Sequence, residues 1–172
     1  MKLKTMFVCF FLVAGSVISN AQENASDIMA KAYTQAGKEN KNVFVMFHAS
    51  WCGWCKKMDK NMTGDALGKF FNDNYVTAHI TVKESPKNVS LENPGGEEFL
   101  KKFKGERAGL PFWIILDAKG NLLADSFNAK GENLGCPSTP EEVTEFIAKL
   151  KKTSRFTDGQ LAAVKGVFTI KK

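Results

Sequence analysis

The sequence predicts an α/β fold in which a central mixed β-sheet is flanked by helices. Three observations lead there. Helical and strand patterns alternate along the chain, the run Val43-Phe44-Val45-Met46-Phe47 is apolar without a break, and two late strand patterns, 111–117 and 122–127, are separated by a short turn. An uninterrupted apolar strand is one buried on both faces, as in a central parallel sheet. Two strands joined so closely form an antiparallel hairpin. Together these describe a small layered domain with strands of both directions.

Each element has its own signal. In "SDIMAKAYTQAGKEN" (26–40), Ile28, Met29, Ala32 and Ala36 recur at helical spacing; Ser26 or Asp27 is placed to cap it, and Gly37 lies near its end. "NVFVMFHA" is the buried strand. "CKKMDKNM" and "DALGKFFNDN" read as helices, and "YVTAHITV" as a second strand. "KESPKNVSLENPGG" is polar and turn-rich, hence a loop, and "EEFLKKFK" a short amphipathic helix. "PFWIILD", the turn "AKGN" and "LLADSF" make the hairpin. In "STPEEVTEFIAKLKK", Thr139 and Glu142 form a capping box and Pro140 takes the first helical position. Beyond Lys152 the pattern predicts a short helical tail at "DGQLAAVKGVF", an extension (153–172) to a core spanning about 26–152.

The chain opens "MKLKTMFVCFFLVAGSVISNAQ", with Lys2 and Lys4 ahead of an apolar stretch from Met6 to Ile18 that is short for a bilayer span. Ser19-Asn20-Ala21 puts small residues at both cleavage-determining positions. Residues 1–21 are expected to be a secretory signal peptide cut after Ala21, leaving 22–172 as a single domain with no further apolar span and no stable membrane insertion. The formal charge of +6 loses Lys2 and Lys4 with the signal. The remaining lysines are scattered on amphipathic segments, without the dense basic, aromatic-interleaved run of a nucleic-acid binder. Cys9 leaves too, so Cys52, Cys55 and Cys136 remain. An odd, small number argues against a disulfide-stapled scaffold.

"HASWCGWCKK" (48–57) sets Cys52 and Cys55 three positions apart, between the buried strand and a helix. A cysteine at a helix N-terminus faces unsatisfied N–H groups and the positive end of the macrodipole, both of which favour thiolate. Lys56 and Lys57 add positive charge. Cys55 lies one turn inside, where it can close a disulfide with Cys52 but is expected to be less accessible. Cys52 is therefore the candidate nucleophile and Cys55 the resolving thiol. Two blander uses compete. Structural zinc wants four ligands, and only Cys136, His48 and His79 are available besides the pair. An inert disulfide in so small a ring constrains little chain.

The stretch "NVFVMFHASWCGWCKKMDKNM" resembles the active-site strand and helix of the thioredoxin superfamily, and "GLPFWIILDAKGNLL" resembles its later loop and hairpin. The W-C-x-x-C-K pattern of that family is met by Trp51, Cys52, Gly53, Trp54, Cys55 and Lys56, and the element order matches from about Ser26 to Lys152. The resemblance implies a thioredoxin fold and a cis proline at Pro111 facing the disulfide. A cis X-Pro bond exposes the preceding backbone to an incoming extended peptide. Leu110 would offer that backbone, and Trp51, Trp54 and Leu110 would form an apolar collar around a partner protein.

The chain also departs from the family. Reducing thioredoxins usually carry an aspartate six residues before the first cysteine, where this chain has Met46, so Cys55 lacks the customary buried base. His48 stands where tryptophan is common and is a candidate for tuning Cys52, with a satisfied strand-end histidine as the plainer reading. Glu84, just after the second strand, is a further candidate proton acceptor. Gly53-Trp54 replaces the common Gly-Pro, a change able to move the potential in either direction. Cys136 precedes the last capped helix in a loop lengthened by "NAKGENLG"; it is a candidate third thiol or an unpaired cysteine without a role.

The expected function is disulfide exchange with exported, periplasmic-type substrate proteins, as reductase or relay rather than oxidant. It needs no bound cofactor and draws electrons from a membrane or exported redox partner. The alternative is a non-catalytic module in which the two cysteines and His48 capture a soft metal such as Cu(I).

Overall fold

The computed structural model describes residues 22–170, so the expected signal segment lies outside the described residues. In the strand β1 (Asn42–His48) side chains alternate between two apolar faces, and each face demands a covering layer. Val43, Val45 and Phe47 join one buried cluster with Met29, Ala32 and Ala36 of helix α1 (Ala25–Glu39) and Leu100 of α4 (Gly96–Lys102). Phe44 and Met46 join the other. There they meet Met58 and Met62 of α2 (Gly53–Thr63), Phe71 of α3 (Gly68–Asn74) and Val143, Phe146 and Leu150 of α5 (Pro140–Thr153).

The sheet between these layers has four strands in the order β2-β1-β3-β4, with β2 at Tyr75–Thr81, β3 at Phe112–Leu116 and β4 at Leu122–Asp125. β1 runs parallel to β2 and antiparallel to β3, with Phe47 opposite Phe112. This is the mixed, helix-flanked sheet that the alternating pattern predicts. Polar ties pin its lower end. Asn42 Nδ2 donates to Thr153 O at 2.7 Å, and Tyr75 Oη lies 2.7 Å from Thr153 Oγ1. Because Thr153 Oγ1 donates to Lys149 O, the tyrosine is the donor in that pair.

Local signals vary in how they play out. The Thr139–Glu142 capping box and Pro140 at the first helical position are both present in α5. Helix α1 starts earlier than Ser26, after Asn24, and runs past Gly37 to end on Asn40 in the left-handed region at φ 52°. Asparagine tolerates that conformation better than most residues. The tail differs most from its expectation as a mere extension. It forms α6 (Asp158–Phe168), opened by a second capping box of Thr157 and Gln160, and it buries Leu161, Val164 and Phe168 in the α5-side core. Their helical spacing makes an apolar face that only burial satisfies.

Phe168 is fully buried, with its ring centroid 5.1 Å from that of Phe146. Replacing it with alanine is expected to lower unfolding free energy by about 3–5 kcal/mol, read by urea denaturation with an unchanged m-value. A loss below about 1 kcal/mol would mean that α6 is peripheral to the fold.

Candidate active site

Past His48 the chain leaves β1 through Ala49, Ser50 and Trp51 and turns into α2. Cys52 is the N-cap residue, in extended conformation; its Sγ accepts the Cys55 N–H at 3.1 Å. Cys52 and Cys55 are joined as a disulfide with their Cα atoms 5.3 Å apart. Both residues are nearly buried, at 3% and 2% exposure. The difference between them therefore lies in position on the helix, cap against first turn, rather than in solvent access. Around the sulfurs are Ala49 and Leu110, and with the cysteines these make a small apolar cluster of their own.

Leu110 arrives there because β3 pairs antiparallel with β1, which sets the segment before Phe112 beside the segment after His48. The Leu110–Pro111 peptide bond is cis. Trp51 and Trp54 flank the cysteines at 58% and 50% exposure, an unusual state for so much aromatic surface. Trp51 is oriented by its indole N–H, which donates to Lys83 O at 2.8 Å. Lys57 Nζ lies 4.9 Å from the Trp54 ring centroid, a cation–π contact. Lys56 is exposed.

Lys83, which no motif or spacing singles out, links three parts of this rim. Its N–H donates to Glu97 Oε1, its carbonyl holds Trp51, and its Nζ donates to Glu106 O at 3.0 Å and Ala108 O at 2.8 Å, with Gly105 O at 3.4 Å. It adopts a left-handed conformation at φ 54°. The sequence holds little to mark it, since one lysine in a lysine-rich chain looks like any other.

Of the other sequence candidates, Glu84 is engaged at the rim. Its Oε1 accepts the Ser50 N–H and its Oε2 accepts Ser50 Oγ–H at 2.8 Å, which steadies the turn into Trp51. Met46 is part of the α5-side core. His48 is half-buried at the end of β1, 3.4 Å from Thr81 Oγ1, with its ring edge-on to His79 at 5.5 Å between centroids. His79 in turn pairs with Asp59 of α2 at 3.0 Å. Burial, and next the neighbouring His79, hold the His48 pKa below its ordinary value, against the pull of Asp59 and Glu84.

Cys136 is buried and unpaired. It lines a groove of about 310 Å³ together with Trp54, Leu110 and Glu142. Burial pushes its thiol pKa up to about 11, with Lys57 pulling down and Glu142 adding to the rise. A thiol with that pKa is a poor nucleophile near neutral pH. Among the described residues no group of three or more His, Cys, Asp or Glu side chains is gathered to hold a metal ion, and no helix is long and apolar enough to cross a membrane.

A family model described as thioredoxin-like matches residues 24–118 of the chain. Among solved structures, a disulphide isomerase from Xylella fastidiosa Temecula1 aligns at 15% identity and TM-score 0.48, over 67% of this chain and 80% of that one. A DsbH oxidoreductase aligns at 19% identity and TM-score 0.47, over 87% and 95%. The C-terminal domain of Neisseria meningitidis DsbD, in its oxidised form, aligns at 18% identity and TM-score 0.40, over 60% and 83%. No curated protein matches the chain by sequence.

The His48 environment makes a pH prediction. A folded-state pKa below the unfolded value of about 6.5 means that the unfolded chain binds the proton first as pH falls. The His48 contribution to stability is then whole above about pH 6.5 and lost as pH falls through the folded pKa. In an NMR titration His48 is expected to titrate below about 6.5, and His79→Gln to move it upward. A His48 midpoint at or above that value would overturn the account.

Proposed function

Because the chain belongs to the thioredoxin-like family, we propose that it is a thiol-disulfide oxidoreductase that exchanges disulfides with exported proteins, working as a reductase or relay. The observation that carries this reading is the Cys52–Cys55 disulfide at the N-cap of α2, packed against Leu110 and flanked by two exposed tryptophans. A disulfide needed only for structure has no use for an apolar collar open to solvent.

In the reduced protein the Cys52 thiolate attacks a substrate disulfide. A Cys52–substrate S–S bond forms, the substrate S–S bond breaks, and one substrate thiolate leaves. The Cys55 thiol then loses its proton and attacks Cys52 Sγ. The Cys52–Cys55 bond forms and the second substrate thiolate departs. Two electrons have passed to the substrate, and a dithiol redox partner, exported or membrane-bound, restores them. Trp51, Trp54, Leu110 and Pro111 receive the partner chain. His48 modulates Cys52, and Lys56 adds positive potential near the cap. A signal peptide at residues 1–21 would carry the protein to a periplasmic-type compartment where such substrates occur.

The direction rests on the surroundings of Cys52. Strong oxidants owe their high potential to a stabilised reduced form. Here the sulfur sits among Ala49, Cys55 and Leu110, and the backbone N–H that reaches it is that of Cys55. Apolar surroundings oppose the thiolate that the helix N-terminus and Lys56 favour, and this opposition supports the disulfide and a lower potential.

Equilibration with glutathione and subsequent thiol trapping is expected to give a Cys52–Cys55 potential near or below about −270 mV. A value near −120 mV, about that of a strong oxidant, would reverse the direction proposed. Cys55→Ser should accumulate a mixed disulfide through Cys52, visible on non-reducing gels. No adduct, with no redox cycling of the wild type, would sink the oxidoreductase reading. An unchanged Cys52 pKa in His48→Ala would remove the tuning role of His48.

A further inference from the structure

Between Gly105 and Pro111 the carbonyls of five residues are held by just two side chains. Lys83 Nζ takes those of Gly105, Glu106 and Ala108. The other two belong to Gly109 and Pro111, and one group takes both. Asn133 Nδ2 donates to Gly109 O at 2.7 Å and to Pro111 O at 3.1 Å. On its other side Asn133 Oδ1 accepts Ser126 Oγ–H at 2.7 Å and the Gly135 N–H at 3.1 Å.

A side-chain amide offers two donors and two acceptor sites, and here all four are used. The partners leave no freedom of orientation. Carbonyls can only meet the NH2 group and a backbone N–H only the oxygen, so a flipped amide would break three of the four contacts, the Ser126 hydroxyl alone being able to serve either way. The oxygen side is itself anchored, because Ser126 is fully buried and its Oγ accepts the Trp113 N–H of β3 at 3.3 Å. Asn133 stands in the lengthened connection between β4 and α5, opposite Phe127 in an isolated antiparallel bridge.

The residue between the two clamped carbonyls is Leu110. Among the described residues its own N–H and carbonyl have no hydrogen-bond partner, while its side chain packs on Cys52 and Cys55. The loop therefore presents one unspent backbone N–H and one unspent carbonyl, both of Leu110, beside the disulfide, with the flanking carbonyls of Gly109 and Pro111 tied.

We propose that Asn133 is a positioning residue for partner binding. Its amide holds Gly109 and Pro111 so that the Leu110 backbone is pre-set to pair with an extended segment of a substrate protein next to the reacting sulfurs. This rests on the oxidoreductase reading above. The benefit is preorganisation: a loop already ordered loses little freedom when the partner docks.

The test uses Asn133→Asp, which keeps the shape and the oxygen facing Ser126 and Gly135 but sets a second oxygen against the two loop carbonyls. Reduced wild type and variant are compared on insulin, a protein disulfide, and on dithionitrobenzoate, a small disulfide with no backbone to pair. The variant is expected to lose about tenfold or more in kcat/KM on insulin, mainly through KM, the scale of one or two lost hydrogen bonds. Its dithionitrobenzoate rate and its Cys52–Cys55 potential should stay within about twofold and one measurement error of wild type. Undiminished insulin reduction overturns the proposal, and so does an equal loss on both substrates, which marks general damage.

A wild type that reduces neither substrate overturns the oxidoreductase reading itself. Should Asn133→Asp not fold, wild type still decides. The clamp predicts slow solvent exchange of the Asn133 side-chain amide protons by NMR, and exchange at the rate of a free amide refutes it.

Discussion

Phe47 of β1 lies opposite Phe112 of β3, and the site inherits that antiparallel register. Partners in such a pair run in opposite senses, so the segment leaving the end of one strand meets the segment entering the start of the other. The turn into Cys52 leaves β1 and Leu110 enters β3; two segments far apart in sequence thereby become neighbours. The register is enforced from both faces. A slip of one residue would send Phe44 and Met46 toward α1 and leave Val45 and Phe47 against α5, exchanging two fitted cores.

Around the apolar cluster of the two cysteines runs a rim whose polar groups are paired, apart from the Leu110 backbone. Ser50 is held by Glu84, Trp51 by the Lys83 carbonyl, and the segment before Pro111 by Lys83 and Asn133. Polar networks near a protein interior are stabilising only when their members are satisfied. This one ties the turn around Trp51 while Trp51 itself stays largely exposed. The site is thus a surface of exposed tryptophan and paired polar groups with the Cys52–Cys55 disulfide at its centre.

The histidines illustrate how a strand end is made tolerable. His48 and His79 lie on adjacent strands, edge to face, and Asp59 from α2 takes the second ring. Burial around His48, and next the neighbouring His79, hold the His48 pKa below its ordinary value. His48 stays closer to neutral than an exposed histidine would, which suits its position between the sheet and the active-site turn.

Much of this was legible beforehand. The fold class, the four strands, the helices between them and the CxxC pair at a helix start are all written in local pattern, because hydrophobic period, capping residues and turn residues act over a few positions. The Thr157–Gln160 box and the Leu161, Val164, Phe168 face carried the same kind of signal, so α6 was readable too, though its place in the core was not. The sequence alone determined the set of elements and the chemistry of the sulfur pair. The tertiary structure decided which groups surround that pair. Glu84 went to Ser50, His48 to His79, and Lys83 and Asn133 to the carbonyls around Leu110. Such partnerships form between residues distant along the chain, where hydrogen-bond geometry depends on how whole layers pack, and no spacing rule records it.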